Sequence, residues 1–201
     1  MGETALKLAL QKAFLALKQV MNEWTSTNND CQPVIMSLVN ILEQYECCQR
    51  ISIDDIPFNT VCPNLKEHLK YKIVAEIEVR IQSLQNNLDK FKDYHSQMSQ
   101  QYHNVIKIYK TYWSTDLNID IMTKTSALYP SLTEMVEWLN TAEKLLFQIY
   151  QSKKFIIDEL VTNSNITSEN LVSQWTVDDH IITSKFKDYF CYLTYFIEEK
   201  I

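Results

Sequence analysis

Four histidines, five cysteines and three pairs of adjacent acids are the side chains here that could do chemistry. Zinc held on a helix needs His or Cys four residues apart on one face. None of His68, His95, His103 and His180 has such a partner. Cys31, Cys47, Cys48, Cys62 and Cys191 are odd in number, and the Cys47-Cys48 adjacency suits neither a C-x-x-C metal pair nor an ordinary disulfide frame. The expectation is reduced thiols in a cytosolic or nuclear protein. Asp54-Asp55, Asp178-Asp179 and Glu198-Glu199 could share protons as acid/base couples. Adjacent acids at helix ends are more simply solvated charges. No Gly-x-Ser-x-Gly elbow is present, and Gly2 is the only glycine. Loops that cradle phosphate need glycine to bring backbone close, so a nucleotide-binding loop is excluded. The chain therefore reads as non-enzymatic, with no catalytic residue, no cofactor and no metal.

The elements that carry these residues are helical. Residues 64–113 contain neither Pro nor Gly beyond position 63. Apolar or ring side chains recur there at Val74, Ile77, Ile81, Leu84, Leu88, Phe91, His95, Met98, Tyr102, Val105, Tyr109 and Tyr112. Steps of three and four residues make this a heptad seam. At 1.5 Å per residue the helix would be roughly 75 Å long. The seam position of His95 makes it a polar register-setter or a helix-partner contact.

A second seam runs through Leu6, Leu10, Ala13, Leu17, Val20 and Trp24. It holds its phase across the polar run at 25–30 and across Pro33 to Leu38, Ile41 and Tyr45. One helix over 4–46, bent near Pro33, is expected, with a break into two helices as the alternative. Ser131 and Glu134 have capping-box spacing and open a helix over about 131–161. Thr176 can cap a last helix over about 177–199. The expected fold is all-α, an elongated helical bundle around one long coiled-coil-like helix, forming a single domain over 1–201. The intervening connectors cover 47–63 and 114–129.

Hydrophobic residues make up 46% of the chain, which excludes a disordered polypeptide. The net charge of −6 is uneven. Residues 64–114 carry 8 basic and 5 acidic side chains, whereas residues 115–201 carry 7 and 13. No basic stripe is dense enough for direct nucleic-acid binding, and no apolar run reaches membrane-spanning length. Tyr94, Tyr102, Tyr109, Tyr112 and Trp113 crowd the second half of the long helix. Such rings suit a partner interface, and equally suit packing against the chain's own helices. The long seam offers more apolar edge than this chain is expected to cover. Leu84, Leu88, Phe91, Met98, Tyr102 and Tyr109 are accordingly expected to meet a partner helix, with Glu137 and Trp138 holding the fold or a second contact.

Several stretches, in order, resemble one family. Asp30-Cys31-Gln32-Pro33 follows Trp24, and Asp55-Ile56-Pro57 precedes Pro63-Asn64-Leu65-Lys66-Glu67-His68-Leu69. Then come Ile108-Tyr109, the run from Pro130 to Leu139 containing Glu134, Glu137 and Trp138, and a terminal Tyr195-Phe196-Ile197-Glu198-Glu199. Together these resemble the AIRIM family, ribosome maturation factors that act with AAA+ ATPases. The resemblance implies a non-enzymatic helical adaptor subunit. Its implied partners are a heteromeric type II AAA+ ATPase, a second helical adaptor (CINP-like) and, indirectly, pre-60S ribosomal particles. It implies cytoplasmic release and recycling of a shuttling factor, a link to chromatin and replisome protein turnover, and a cytoplasmic and nuclear location. The alternative is a self-associating coiled-coil structural or tethering protein with no ATPase partner. A membrane-surface role for the lysine-bearing first helix is a third reading.

Overall fold

The computed structural model describes residues 1–51, 64–113, 115–162, 168–177 and 179–199. Asp54-Asp55, Cys62, Asp178, the Asn165-Ile166-Thr167 sequon and most of the 47–63 connector lie outside them. Six α-helices and no strand are found among the described residues. They are α1 (Gly2–Arg50), α2 (Leu65–Tyr112), α3 (Ile119–Thr123), α4 (Leu132–Thr162), α5 (Ser168–Thr176) and α6 (Asp179–Glu198). The all-α class and the long helix read from the sequence are both present.

α1 is a single helix through Pro33. A mid-helix proline removes one N–H and leaves the carbonyl four residues back without its partner. Here Pro33 and Asn29 are both exposed, so water can satisfy that carbonyl. The buried face supplies the rest of the explanation: Leu6, Leu10, Ala13, Phe14, Leu17, Val20, Cys31 and Leu38 are completely shielded, and Thr27 nearly so. Burial of one continuous stripe outweighs the poor helix propensity of the polar run. Two sequence expectations change here. Gly2 belongs to the helix and is buried, its N–H donating to Asp116 Oδ2 at 3.0 Å. A Cβ at Gly2 would stand 2.7 Å from the Tyr112 Cβ, so the only glycine marks a close helix contact. Thr176 closes α5, its hydroxyl donating to the Val172 carbonyl, and does not cap α6.

The chain forms two compact units, residues 1–26, 90–151 and 178–201 in one, and 27–89 and 152–177 in the other. The first unit has an aromatic centre. Trp24 of α1 meets Phe91 of α2 at a ring separation of 4.5 Å and Tyr94 at 6.2 Å. Around it Met98 and Val105 of α2, Met135, Leu139 and Leu146 of α4, and Phe186, Leu193 and Phe196 of α6 are fully or almost fully buried. Gln11 of α1 donates from Nε2 to the Phe196 carbonyl at 2.6 Å and to the Glu199 carbonyl at 2.9 Å. Those are orphan carbonyls at the end of α6, and a side chain from another helix takes them.

The second unit is built from Cys31, Ile35 and Leu38 of α1, Ile73, Ile81 and Leu84 of α2, Ile156, Ile157 and Leu160 of α4, and Leu171 and Trp175 of α5, all buried. Lys66 Nζ donates to the Ile51 carbonyl at 2.6 Å, just past the end of α1. Asn64, at φ 69°, is the one non-glycine in left-handed backbone among the described residues, a conformation asparagine tolerates better than most. Lys153 of α4 is buried, its ammonium donating to the Trp175 carbonyl at 2.9 Å and lying 4.5 Å from the Trp175 ring centre.

The α4 start is the capping box expected from the sequence. Ser131 N–H and Oγ–H both donate to Glu134 Oε2, at 2.8 and 2.7 Å, and Glu134 N–H returns to Ser131 Oγ at 3.3 Å. These hydrogen bonds, the side-chain one foremost, hold the Glu134 carboxyl below its ordinary 4.5. A lowered folded value means the stabilisation is complete above the ordinary value and is lost as pH falls through the folded one. The thermal midpoint of the wild type should therefore fall on acidification below about 4.5 more than that of Glu134→Gln. At neutral pH Ser131→Ala should cost about 1 kcal/mol in denaturant titration.

Candidate partner-docking groove

The eight positions expected at an interface separate sharply. Leu84, Phe91 and Met98 are each 0% exposed, so the edge expected to need another protein is covered at these positions by the chain's own helices. The physical reason is the second long helix: the α1 seam supplies a matching apolar stripe. Leu88, Tyr102 and Tyr109 are half-buried on the flank of that stripe, and Tyr109 rests against Trp113 at 5.1 Å. Glu137 is exposed, and Trp138 is half-buried. His95, on the same stripe, meets Glu143 of α4 at 3.1 Å with the Phe147 ring 5.0 Å away, so its helix contact is internal.

Trp138 leads to the concave surface of the first unit. The indole stacks on Tyr189 of α6 at 4.6 Å and an interplanar angle of 4°, with Tyr192 tilted against it at 6.0 Å. These rings border an open groove of about 540 Å³ lined by residues 125–130, Glu134, Trp138, Cys191, Tyr192 and Tyr195. One wall is the chain entering α4, the other the outer face of α6. Burial in the stack pushes the Tyr189 phenol above its ordinary value, a hydrogen bond with Thr141 opposing the shift.

Leu128, Tyr192 and Tyr195 expose 58, 63 and 65% of their surface, which is more than packing within a monomer needs. Among the described lining residues Glu134 is the only carboxylate, and none is Lys, Arg or His. Tyr129 at the groove edge has the Lys7 ammonium 5.8 Å from its ring centre, and Lys7 is paired with Glu3 at 2.9 Å.

The sequence reading missed Tyr192, Tyr195 and Leu128. Tyr195 lies in the terminal Tyr-Phe-Ile-Glu-Glu stretch and Tyr192 one turn before it, both off the buried α6 positions Ile182, Phe186, Tyr189, Leu193 and Phe196. Two tyrosines on the polar side of an amphipathic helix were the available signal.

Among the described residues no three His, Cys, Asp or Glu are grouped to hold a metal ion, and no helix is long and apolar enough to cross a membrane. Cys31 and Cys48 are buried, and Cys47 and Cys191 are exposed, none of them in a disulfide among the described residues.

Comparison with known proteins gives the chain its relations. Residues 4–190 match the family described as ribosome biogenesis protein C1orf109-like. The chain is 27% identical over 198 residues to the human AFG2-interacting ribosome maturation factor, covering 97% of this chain and 96% of the relative. The Xenopus tropicalis protein of that name is 29% identical over 153 residues, 76% of this chain and 74% of its own length. The Danio rerio one is 25% identical over 198 residues, 96% of each.

Proposed function

Because the chain belongs to the C1orf109-like family of ribosome biogenesis proteins, we propose that it is a non-enzymatic helical adaptor of an AFG2-type AAA+ ATPase in ribosome maturation. The adaptor acts in the cytoplasm and nucleus. It works beside a second helical subunit, CINP-like, and touches pre-60S particles only through the assembly. The ATPase releases and recycles a shuttling factor, and the same machinery serves chromatin and replisome protein turnover. A chain without a glycine-rich phosphate loop suits a subunit that borrows its nucleotide chemistry from a partner.

The observation that carries this reading is the groove between the start of α4 and the outer face of α6. It exposes Tyr192 and Tyr195 beside a buried aromatic stack, and its α4 wall is drawn from the stretch from Pro130 to Leu139. Large rings with a polar tip on a rigid surface are typical interface anchors. Tyr102 and Tyr109 give the second subunit a further contact on the same unit. Leu84, Phe91 and Met98 act by holding the helices that present these rings.

The test is capture from cell extract with the tagged full chain. The wild type should bring down a AAA+ ATPase and a helical co-subunit. The double variant Tyr192→Ala/Tyr195→Ala should keep its thermal midpoint, because both rings are exposed, and lose most of the captured ATPase. Undiminished capture by the double variant would remove the groove from the interface. A homodimer by light scattering that recovers no ATPase even at low salt would replace the adaptor with a tethering protein.

A further inference from the structure

The groove is more selective than a greasy slot, and its charge says for what. It is lined by the rings of Tyr129, Trp138, Tyr192 and Tyr195, and among the described lining residues Glu134 is the single carboxylate and none is cationic. Aromatic faces attract cations, arginine above all, since a planar guanidinium stacks on a ring while its edge donates to a carboxylate.

Glu134 is suited to the second half of that contact. Both Ser131 donors fall on its Oε2, and no hydrogen bond to Oε1 is found among the described residues. The carboxylate is thus oriented by the backbone it caps and keeps one oxygen open. Beyond the lining both signs occur: Asp188 on α6, Glu199 just past its end and Glu137 on α4 are exposed, and so is Lys124, next to the lining residue Thr125. Lys185 and Lys187 lie nearer the start of α6 and do not line the groove. Lys7 sits against Tyr129 and is paired with Glu3.

We propose that this groove binds an arginine-bearing peptide segment of a partner protein, the guanidinium stacking on the exposed tyrosines and donating to Glu134. This rests on the reading of the groove as a docking surface. A nucleic acid is disfavoured because its phosphates would face the Glu134 carboxylate, with no basic side chain among the described lining residues. An acidic peptide is disfavoured for the same reason. A purely apolar helix would leave the open oxygen of Glu134 without a donor.

Fluorescence polarisation with the full chain tests the assignment. The probe is a short labelled Gly/Ser peptide carrying arginine, and its twin carries citrulline, which has the same shape without the charge. The arginine peptide should bind saturably, and the citrulline twin about tenfold more weakly. Tyr195→Ala and Glu134→Gln should each weaken the arginine peptide by about tenfold and leave the citrulline twin nearly unmoved. Added salt should erode the preference. Glutamine can still serve the capping box, and circular dichroism on each variant separates lost binding from lost fold.

Equal binding of the twins, no saturation by about 1 mM, or an apolar helical peptide outcompeting the arginine peptide would each overturn the proposal. Captured ATPase without an arginine preference would sink this assignment alone. An arginine preference without captured ATPase would sink the adaptor reading and leave the groove chemistry standing.

Discussion

Phe91→Asp should unfold the first unit and should not behave as a clean interface mutant. Phe91 is 0% exposed, with its ring 4.5 Å from Trp24 and 6.2 Å from Tyr94. Truncating a buried phenylalanine costs about 3–5 kcal/mol in lost transfer energy and residual cavity. Placing a carboxylate there adds the cost of burying a charge, several kcal/mol unless the group takes up a proton. The sum reaches or exceeds the whole stability of an ordinary domain, about 5–15 kcal/mol. Circular dichroism should show lost cooperative melting, and capture of any partner should fail with it. Phe91→Leu is the control, keeping an apolar side chain at a much smaller cost. A Phe91→Asp chain that melts like wild type and has lost only its partner would mean that the Trp24 cluster is not the core it is taken for.

Lys153 is the second position with a large expected effect, and here the order of two variants matters more than either value. The ammonium is 1% exposed, and it donates to the Trp175 carbonyl at 2.9 Å while lying 4.5 Å from the indole centre. Lys153→Ala removes a four-carbon stem from the packed interior, a loss comparable to a buried methionine truncation of about 2–5 kcal/mol. It also strands the carbonyl at the end of α5, where the last turn of a helix has no internal donor. Lys153→Met keeps the volume, loses the charged hydrogen bond worth about 1.5–3 kcal/mol, and recovers the desolvation cost of a buried cation. The alanine variant should therefore be the less stable of the two in urea titration. Backbone amides of α5 should lose hydrogen-exchange protection first in both. A methionine variant no more stable than the alanine variant would show that packing of the side-chain stem does not decide this site.

The contrast between these core positions and the groove shows why periodicity alone does not separate a face buried within the chain from one that meets a partner. A heptad stripe says that a face will be buried, and both long helices carry one. It does not say by what. Leu84, Phe91 and Met98 were expected against another protein because the long seam seemed to exceed what the chain could cover. The Leu6-to-Trp24 stripe, with its continuation through Cys31 and Leu38, matches it in length and is itself buried. The exposed rings at Tyr192 and Tyr195 lie off the buried α6 stripe, where the only signal is two large rings on a side expected to be polar.

By itself the sequence determined what is local. Three-four spacing set the helices and their inward faces, the Ser131–Glu134 spacing set the start of α4, and a single glycine excluded a phosphate loop. Each depends on residues within a turn or two of one another, where backbone geometry alone relates side chains. Tertiary structure decided which stripe covers which, that Gly2 lies against Tyr112, and that the loop before α4 meets α6 to make a groove. Those pairings join residues far apart along the chain, and they are selected by the packing free energy of whole faces, which no local spacing encodes.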